Sequence, residues 1–433
     1  MTLGKPTSFV PELRFPEFRN SGDWHLRPLK EIAEPVSDRV GTAVCVPMSV
    51  TTGVGLVSQE EKFGRTIAGD SYKNYIRLQR NDFAYNKSST KDFPQGYIAR
   101  YSGTNAAAVP NSIFTCFRPD TAAVVPEYLD HLFHGNHHGR WLRKYITVGA
   151  RAHGALSVGD DDLMSMPVPL PPDAVLRREQ QKIADCLASV GALIEAQRRK
   201  VEALKAQKNG LMQQLFPQKG KTQPSLRFPE FRNAGDWREA SVSSCLQKVI
   251  DYRGKAPPKS EFGIPLITAK NVRFGWLDMS NDEYIDSEKY DAWMSRGIPQ
   301  AGDVLFTTEA PLGNVALFPR NGKFAVGQRL LTLRSNPRKC LPDFLFQSLL
   351  GPEMQEQIDY HSTGSTAKGI KSAVFLKLTL IYPKEASEQK RIADCLTSLD
   401  ELIAAETKKL GTFKTNKKGL MQQLFPAAEE ADA

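Results

Sequence analysis

Cysteine is scarce and scattered: six residues, at 45, 116, 186, 245, 340 and 395, in a chain of 433. None forms a C-x-x-C pair, which argues against a zinc module and against a disulfide-stapled scaffold. No run of about 18 apolar residues is present, so no membrane span is expected. The opening Met1-Thr2-Leu3-Gly4-Lys5-Pro6 lacks the apolar stretch of a secretory signal. A reduced, cytoplasmic chain is the expectation. Catalytic signatures are missing too. There is no G-x-x-x-x-G-K-[ST] phosphate loop. There is neither an N-P-P-[YF] nor an F-x-G-x-G, the pair a nucleobase aminomethyltransferase uses. A nuclease needs acidic residues around a metal. The nearest fragments, Glu388-Gln389-Lys390 and Glu288-Lys289, follow no suitable Pro-Asp. The expectation is a chain with no catalytic residue, no metal site and no cofactor of its own.

What remains is ordinary in bulk. Hydrophobic residues make up 41% and charged residues 24%, as in a soluble protein. A chain of 433 residues exceeds one core and implies two or three domains. The net charge of +9 favours a polyanionic partner.

The chain repeats itself. Residues 179–217 and 388–426 align without a gap, from Glu179 through Ile183-Ala184-Asp185-Cys186-Leu187 to Gly210-Leu211-Met212-Gln213-Gln214-Leu215-Phe216-Pro217, and from Glu388 through Ile392-Ala393-Asp394-Cys395-Leu396 to Gly419-Leu420-Met421-Gln422-Gln423-Leu424-Phe425-Pro426. In the first, Ile183, Leu187, Val190, Ile194, Val201, Leu204, Leu211 and Leu215 alternate three and four apart. Ile392, Leu396, Leu399, Ile403, Leu410, Phe413, Leu420 and Leu424 repeat the pattern. This heptad seam predicts two long helices that pack on each other; the alternative is that each packs on its own domain. Gln197 and Glu406, then Lys208 and Lys417, interrupt both seams at matching places. Pro217 and Pro426 stop both helices. Cys186 and Cys395 hold equivalent places and are expected to pack rather than react.

A second repeat precedes each block. Leu13-Arg14-Phe15-Pro16-Glu17-Phe18-Arg19-Asn20 with Gly22-Asp23-Trp24 recurs as Leu226-Arg227-Phe228-Pro229-Glu230-Phe231-Arg232-Asn233 with Gly235-Asp236-Trp237. The proline-flanked aromatics predict an extended segment that inserts Phe15, Phe18 and Trp24 into a groove. The order is therefore 1–175, helix 176–217, linker 218–225, 226–385, helix 386–426 and tail 427–433. The blocks at 25–175 and 238–385 do not match in sequence, so one frame presents two different surfaces.

Both blocks read as mixed sheet and helix. Strands are expected at 71–78, 82–86 and 112–117, then at 263–267, 303–307 and 329–333, with helices over 126–145 and 342–360. His131, His134, His137 and His138 fall within one of these helices. The spacing of 131, 134 and 138 admits a metal site. Gly135 and Gly139, which break the helix, favour a plain helix end.

Basic loops mix fixed charge with small hydroxyls and glycine. Lys and Arg neutralise phosphates, while Ser, Thr and backbone N–H groups fix register. The candidates for nucleic-acid contact are Lys87, Lys91, Arg100, Arg151 and His153 in the first block. In the second they are Arg253, Lys255, Lys270, Arg273, Thr363, Ser365, Lys368 and Lys371.

The whole arrangement resembles the specificity subunit of a type I restriction–modification enzyme. The resemblance rests on the paired Leu-Arg-Phe-Pro-Glu-Phe segments and on the two Glu-Gln-x-x-Ile-Ala-Asp-Cys-Leu helix starts, each ending in Leu-Met-Gln-Gln-Leu-Phe-Pro. It rests also on Gly302-Asp303-Val304-Leu305-Phe306 with Gly313-Asn314-Val315-Ala316. It implies an α/β (α+β) protein with two globular target recognition domains separated by two long antiparallel coiled-coil helices. Each domain then reads half of a split, asymmetric double-stranded DNA site. The implied partners are two modification subunits and up to two restriction/translocase subunits, which carry S-adenosylmethionine, ATP and Mg2+. The competing class is a basic two-domain scaffold or RNA-binding protein that oligomerises through its helices.

Overall fold

Two helices of unusual length dominate the secondary structure, Leu176–Leu215 and Ala386–Leu424. The computed structural model describes residues 10–51, 53–146, 156–252, 254, 256–280, 283–364 and 367–426. The chain divides into two compact units, residues 1–197 with 409–433, and residues 198–408. Each unit therefore takes the start of one long helix and the end of the other.

That division explains the duplicated seam. In the first unit Ile183 and Leu187 share a core with Leu420, Met421, Leu424 and Phe425. In the second, Ile392 and Leu396 share one with Leu211, Met212, Leu215 and Phe216. Start meets end in both, so the helices pair antiparallel. Every seam position is buried or half-buried. The polar interruptions lie in the stripe: Gln197 and Lys208 are buried. Lys208 Nζ donates to both carboxylate oxygens of Asp400, at 2.6 and 2.7 Å, and Gln347 Nε2 donates to the same carboxylate. In the first helix Gly191 stands at the place equivalent to Asp400. Lys417 approaches it without an ion pair among the described residues, and burial lowers its pKa.

The Leu-Arg-Phe-Pro-Glu-Phe segments act differently from the expectation. They are not extended plugs: Pro16–Phe18 and Pro229–Phe231 are 3-10 turns. Trp24 and Phe18 are buried, but Phe15 is only half-buried. The anchor is the arginine. Arg14 Nε and Nη2 grip Glu179 at 2.7 and 2.8 Å, and Nη1 donates to Gly22 O. Arg227 grips Glu388 at the same two distances and donates to Gly235 O. Leu13 N and Leu226 N donate to Gln423 O and Gln214 O at the far ends of the opposite helices. Each segment thus clips one helix start to the other helix end. The neighbouring glutamines complete the clamp: Gln180 Oε1 accepts from Val125 N, and Gln389 Oε1 from Leu341 N, both at 2.7 Å. Val125 and Leu341 are the N-cap residues of helices Pro126–His134 and Pro342–Leu350. This is the physical content of the repeated Glu-Gln.

The blocks differ in sequence but share the strand order of their larger sheet. The first has a sheet in the order Ala33–Pro35, Phe114–Pro119, Phe83–Asn86, Tyr97–Arg100. The second has Leu246–Asp251, Leu330–Ser335, Val304–Thr307, Val315–Leu317. A smaller sheet in each carries a parallel pairing, Val46–Thr51 with Ala107–Val109 and Ile264–Ile267 with Ala325–Val326. Even an ion pair recurs: Asp82, fully buried, holds Arg118 as Asp303 holds Arg334. Strands β-paired through the backbone tolerate different side chains so long as the inward face stays apolar.

Local expectations are corrected at three places. The strand expected over 71–78 begins as a 3-10 turn, Asp70–Asn74, and only Ile76–Leu78 pairs. The helix expected over 126–145 breaks into Pro126–His134 and His137–Leu142, because Asn136 adopts φ +61°. The helix expected over 342–360 breaks into Pro342–Leu350 and Pro352–Tyr360, where Pro352 has no N–H to continue the ladder.

Candidate nucleic-acid interface

In the second unit the strand register brings several loops to one end of the sheet. Asp251 lies opposite Leu331, Thr307 opposite Leu330 and Phe306 opposite Val315. The segments after Asp251 and Thr307 and before Leu330 and Val315 therefore emerge together. The 361–371 segment joins them: Ile370 N donates to Thr308 O at 2.9 Å, Gly369 bridges Glu309, and Thr363 and Gly369 exchange backbone hydrogen bonds. Ser372 Oγ reaches Asp251 Oδ2. The 268–279 loop docks at the same end, since Asn314 Nδ2 donates to Val272 O and Gly275 N to Val315 O.

This end collects five of the eight sequence candidates of the second block. Thr363, Lys368, Lys371, Lys270 and Arg273 lie on these loops. Lys371 is exposed and has no ion-pair partner among the described residues. Lys368 pairs with Asp359, Arg273 with Asp278 at 3.1 Å, and Lys270 lies 3.8 Å from Glu283. Such exposed pairs add little to the stability of the fold. Arg253, Lys255 and Ser365 lie outside the described residues.

The first unit repeats the construction. Asn86 lies opposite both Phe114 and Tyr97. At that end Lys87 N donates to Ile113 O and Leu156 N to Lys87 O, the counterparts of Thr308 N to Arg329 O and Ile370 N to Thr308 O. Lys91 is exposed on the loop that follows Lys87. The Lys87 ammonium is partly covered and donates to Asp160 Oδ1 at 3.0 Å. Arg151 and His153 lie outside the described residues. Arg100 is not brought here. It sits at the opposite end, across from Phe83, and binds Asn81, Glu127 and Asp130. Its guanidinium ties the sheet to helix Pro126–His134.

Three of the four clustered histidines serve the fold. His137 Nε2 contacts Pro167 O and His138 Nε2 contacts Gly96 O. His134 bonds Tyr97 OH and Asp130 O. Burial pulls His131 and His138 down to about 4, so both rings are neutral at pH 7. Burial acts to lower the His134 pKa, but the side-chain bond, the charge and the backbone carbonyl of Asp130 together outweigh it and raise it. Among the described residues no group of three His, Cys, Asp or Glu is placed to hold a metal. None of the described helices is long and apolar enough to cross a membrane.

Sequence reasoning misses two features at the interface end. Arg329 falls inside the strand expected at 329–333, yet it precedes the observed strand and is exposed. Phe274 and Trp276 stand half exposed on the 268–279 loop, and composition carries no signal of that exposure.

The frame defines a two-unit chain with duplicated clamps and two sheet-end loop clusters. Residues 263–412 match the family model described as the type I restriction modification DNA specificity domain. A putative type I restriction enzyme MjaX specificity subunit from Methanocaldococcus jannaschii is 24% identical over 425 residues, covering 93% of each chain. The solved S subunit of the type I restriction-modification system from M. genitalium superposes with a TM-score of 0.56 at 13% identity, over 97% of this chain and 100% of that one. A chain solved in work on complex assembly and conformational transition of the type I R-M system gives 0.53 at 18% identity, over 94% and 98%. Over nearly its whole length the chain is thus similar to type I restriction–modification specificity subunits.

Proposed function

We propose that this chain is the DNA sequence-reading subunit of a type I restriction–modification complex. Each unit reads one half of a bipartite, asymmetric double-stranded site with the loops at its sheet end. The observation that carries this reading is the repeated larger sheet: two blocks unlike in sequence place different loops at the same end of that sheet, beside the same clamp. A shared frame with divergent tips suits one job performed on two different sequences. Phosphate contacts from Lys91, Lys371 and their neighbours position the duplex, and base-edge contacts give the specificity. Two half-sites read by linked domains multiply discrimination that neither domain achieves alone.

The clamps and long helices also scaffold two modification subunits and up to two restriction/translocase subunits. In this reading S-adenosylmethionine, ATP and Mg2+ belong to those partners, and the complex works in the cytoplasm. The test is competition. Assembled with its modification subunits, the chain should be enriched on sheared genomic DNA fragments that share one split motif. RNA of the same sequences should not displace that DNA. Equal displacement by RNA would instead support the scaffold or RNA-binding class.

A further inference from the structure

At the sheet end of the second unit, Arg329 combines an unusual backbone with an exposed guanidinium. Its φ is +64°, the left-handed region that non-glycine residues seldom occupy. The conformation is held from outside: Thr308 N and Thr308 Oγ1 both reach Arg329 O, at 3.1 and 3.4 Å, and Leu330 immediately pairs with Thr307. Strain of this kind persists only where the surroundings over-determine it, and it clusters at functional sites.

The side chain is 57% exposed, and its Nε lies 2.9 Å from Glu309 Oε1. No other described residue engages the guanidinium. An exposed pair of this kind adds little stability, so it does not account for the strained backbone. What the pair does is aim the group. Glu309 is itself fixed, because its backbone bridges Gly369. With Nε beside that carboxylate, the terminal nitrogens remain as a planar pair of donors facing solvent. Two parallel donors at that spacing match the O6 and N7 acceptors of guanine in the major groove.

The first unit gives the contrast. Ile113 occupies the equivalent backbone place, its carbonyl accepting from Lys87 N as Arg329 O accepts from Thr308 N. It too is exposed, at 41%, but it offers only hydrocarbon. One position of a common frame thus carries a bidentate donor in one unit and an apolar group in the other. That is the pattern expected of a position that reads bases rather than one that supports the fold.

We propose that Arg329 reads a guanine in the half-site bound by the second unit. The inference rests on the DNA-reading function proposed above and adds which residue meets which base. The test uses the full chain assembled with its modification subunits. Arg329→Gly removes the guanidinium while glycine accepts the positive φ, so the variant should fold as well as the wild type. Arg329→Lys keeps the charge but offers a point donor in place of the fork. The wild-type motif is first mapped from methylated adenines, and duplexes carrying it are then altered one base at a time.

For both variants the requirement for guanine at one position of the second half-site should disappear, and the first half-site should be unchanged. Binding to the intact motif should weaken by about 10- to 100-fold relative to wild type for Arg329→Gly. An unchanged motif at unchanged affinity would overturn the proposal. So would an equal loss on every duplex, which marks a phosphate contact. A wild-type complex with no split DNA motif would overturn the function reading and this inference with it. A relaxed single position in an otherwise intact motif supports both.

Discussion

Leu187→Asp and Leu396→Asp should each unfold the half of the seam in which they sit. Leu187 and Leu396 are fully buried and belong to the cores that join a helix start to the other helix end. Truncating a buried leucine alone costs about 2–5 kcal/mol, through lost transfer energy and the cavity left behind. A carboxylate there adds a desolvation cost of several kcal/mol. Since whole domains are stable by only about 5–15 kcal/mol, either substitution should consume much of that margin. Thermal or denaturant unfolding should show a large downward shift, together with loss of the modification subunits from the purified complex. Surface controls such as Glu202→Ala, on the exposed face of the first helix, should leave both unchanged. Wild-type melting and intact assembly in both leucine variants would contradict the pairing.

Glu179→Ala and Glu388→Ala carry the second large effect. Glu179 and Glu388 are almost wholly buried, and each holds a bidentate arginine whose other donor binds a backbone carbonyl. Removing one member of a buried pair leaves an uncompensated charge and costs about 3–5 kcal/mol. Glu388→Ala also removes the acceptor of Trp237 Nε1. The double variants Arg14→Met with Glu179→Leu, and Arg227→Met with Glu388→Leu, leave no orphaned charge, so they should recover part of the stability lost in the single variants. Denaturant midpoints measured across the two cycles check this. A double variant no more stable than its single glutamate variant would mean that the clamp is not the ion pair.

How much of this was legible in the sequence follows from what each feature depends on. The seam is legible because its period is local and occurs twice. Ile183 and Leu187 announce a stripe whatever they touch. The mixed sheet-and-helix class is legible for the same reason. The clamp is not, since Arg14 and Glu179 lie 165 residues apart and nothing local pairs them. The aromatics around Pro16 are the conspicuous residues of that segment, whereas the neighbouring arginine holds it. The common order of the two larger sheets is hidden because strand pairing keeps the burial pattern rather than the residues. The Asp82–Arg118 and Asp303–Arg334 pairs are equivalent in space but not equally spaced, at 36 and 31 residues. The candidate interface is partly legible. Lys371 and Arg100 look alike as basic residues beside glycine and serine, and only strand register separates them, one at the loop-rich end and the other holding Glu127 and Asp130. Arg329 is concealed by the apolar strand it precedes.

The central claim is that each unit governs one half of a split DNA site. It is tested most directly by exchanging residues 25–175 for the corresponding block of a relative with a different sequence preference, and mapping methylated adenines across the genome of cells carrying the hybrid. The clamp residues Arg14, Glu179 and Gln180 stay in the recipient, so the new block enters an unchanged frame. One half of the methylated motif should take the donor's sequence while the other half stays as in the wild type. A folded, active hybrid in which both halves change, or neither does, would contradict the account.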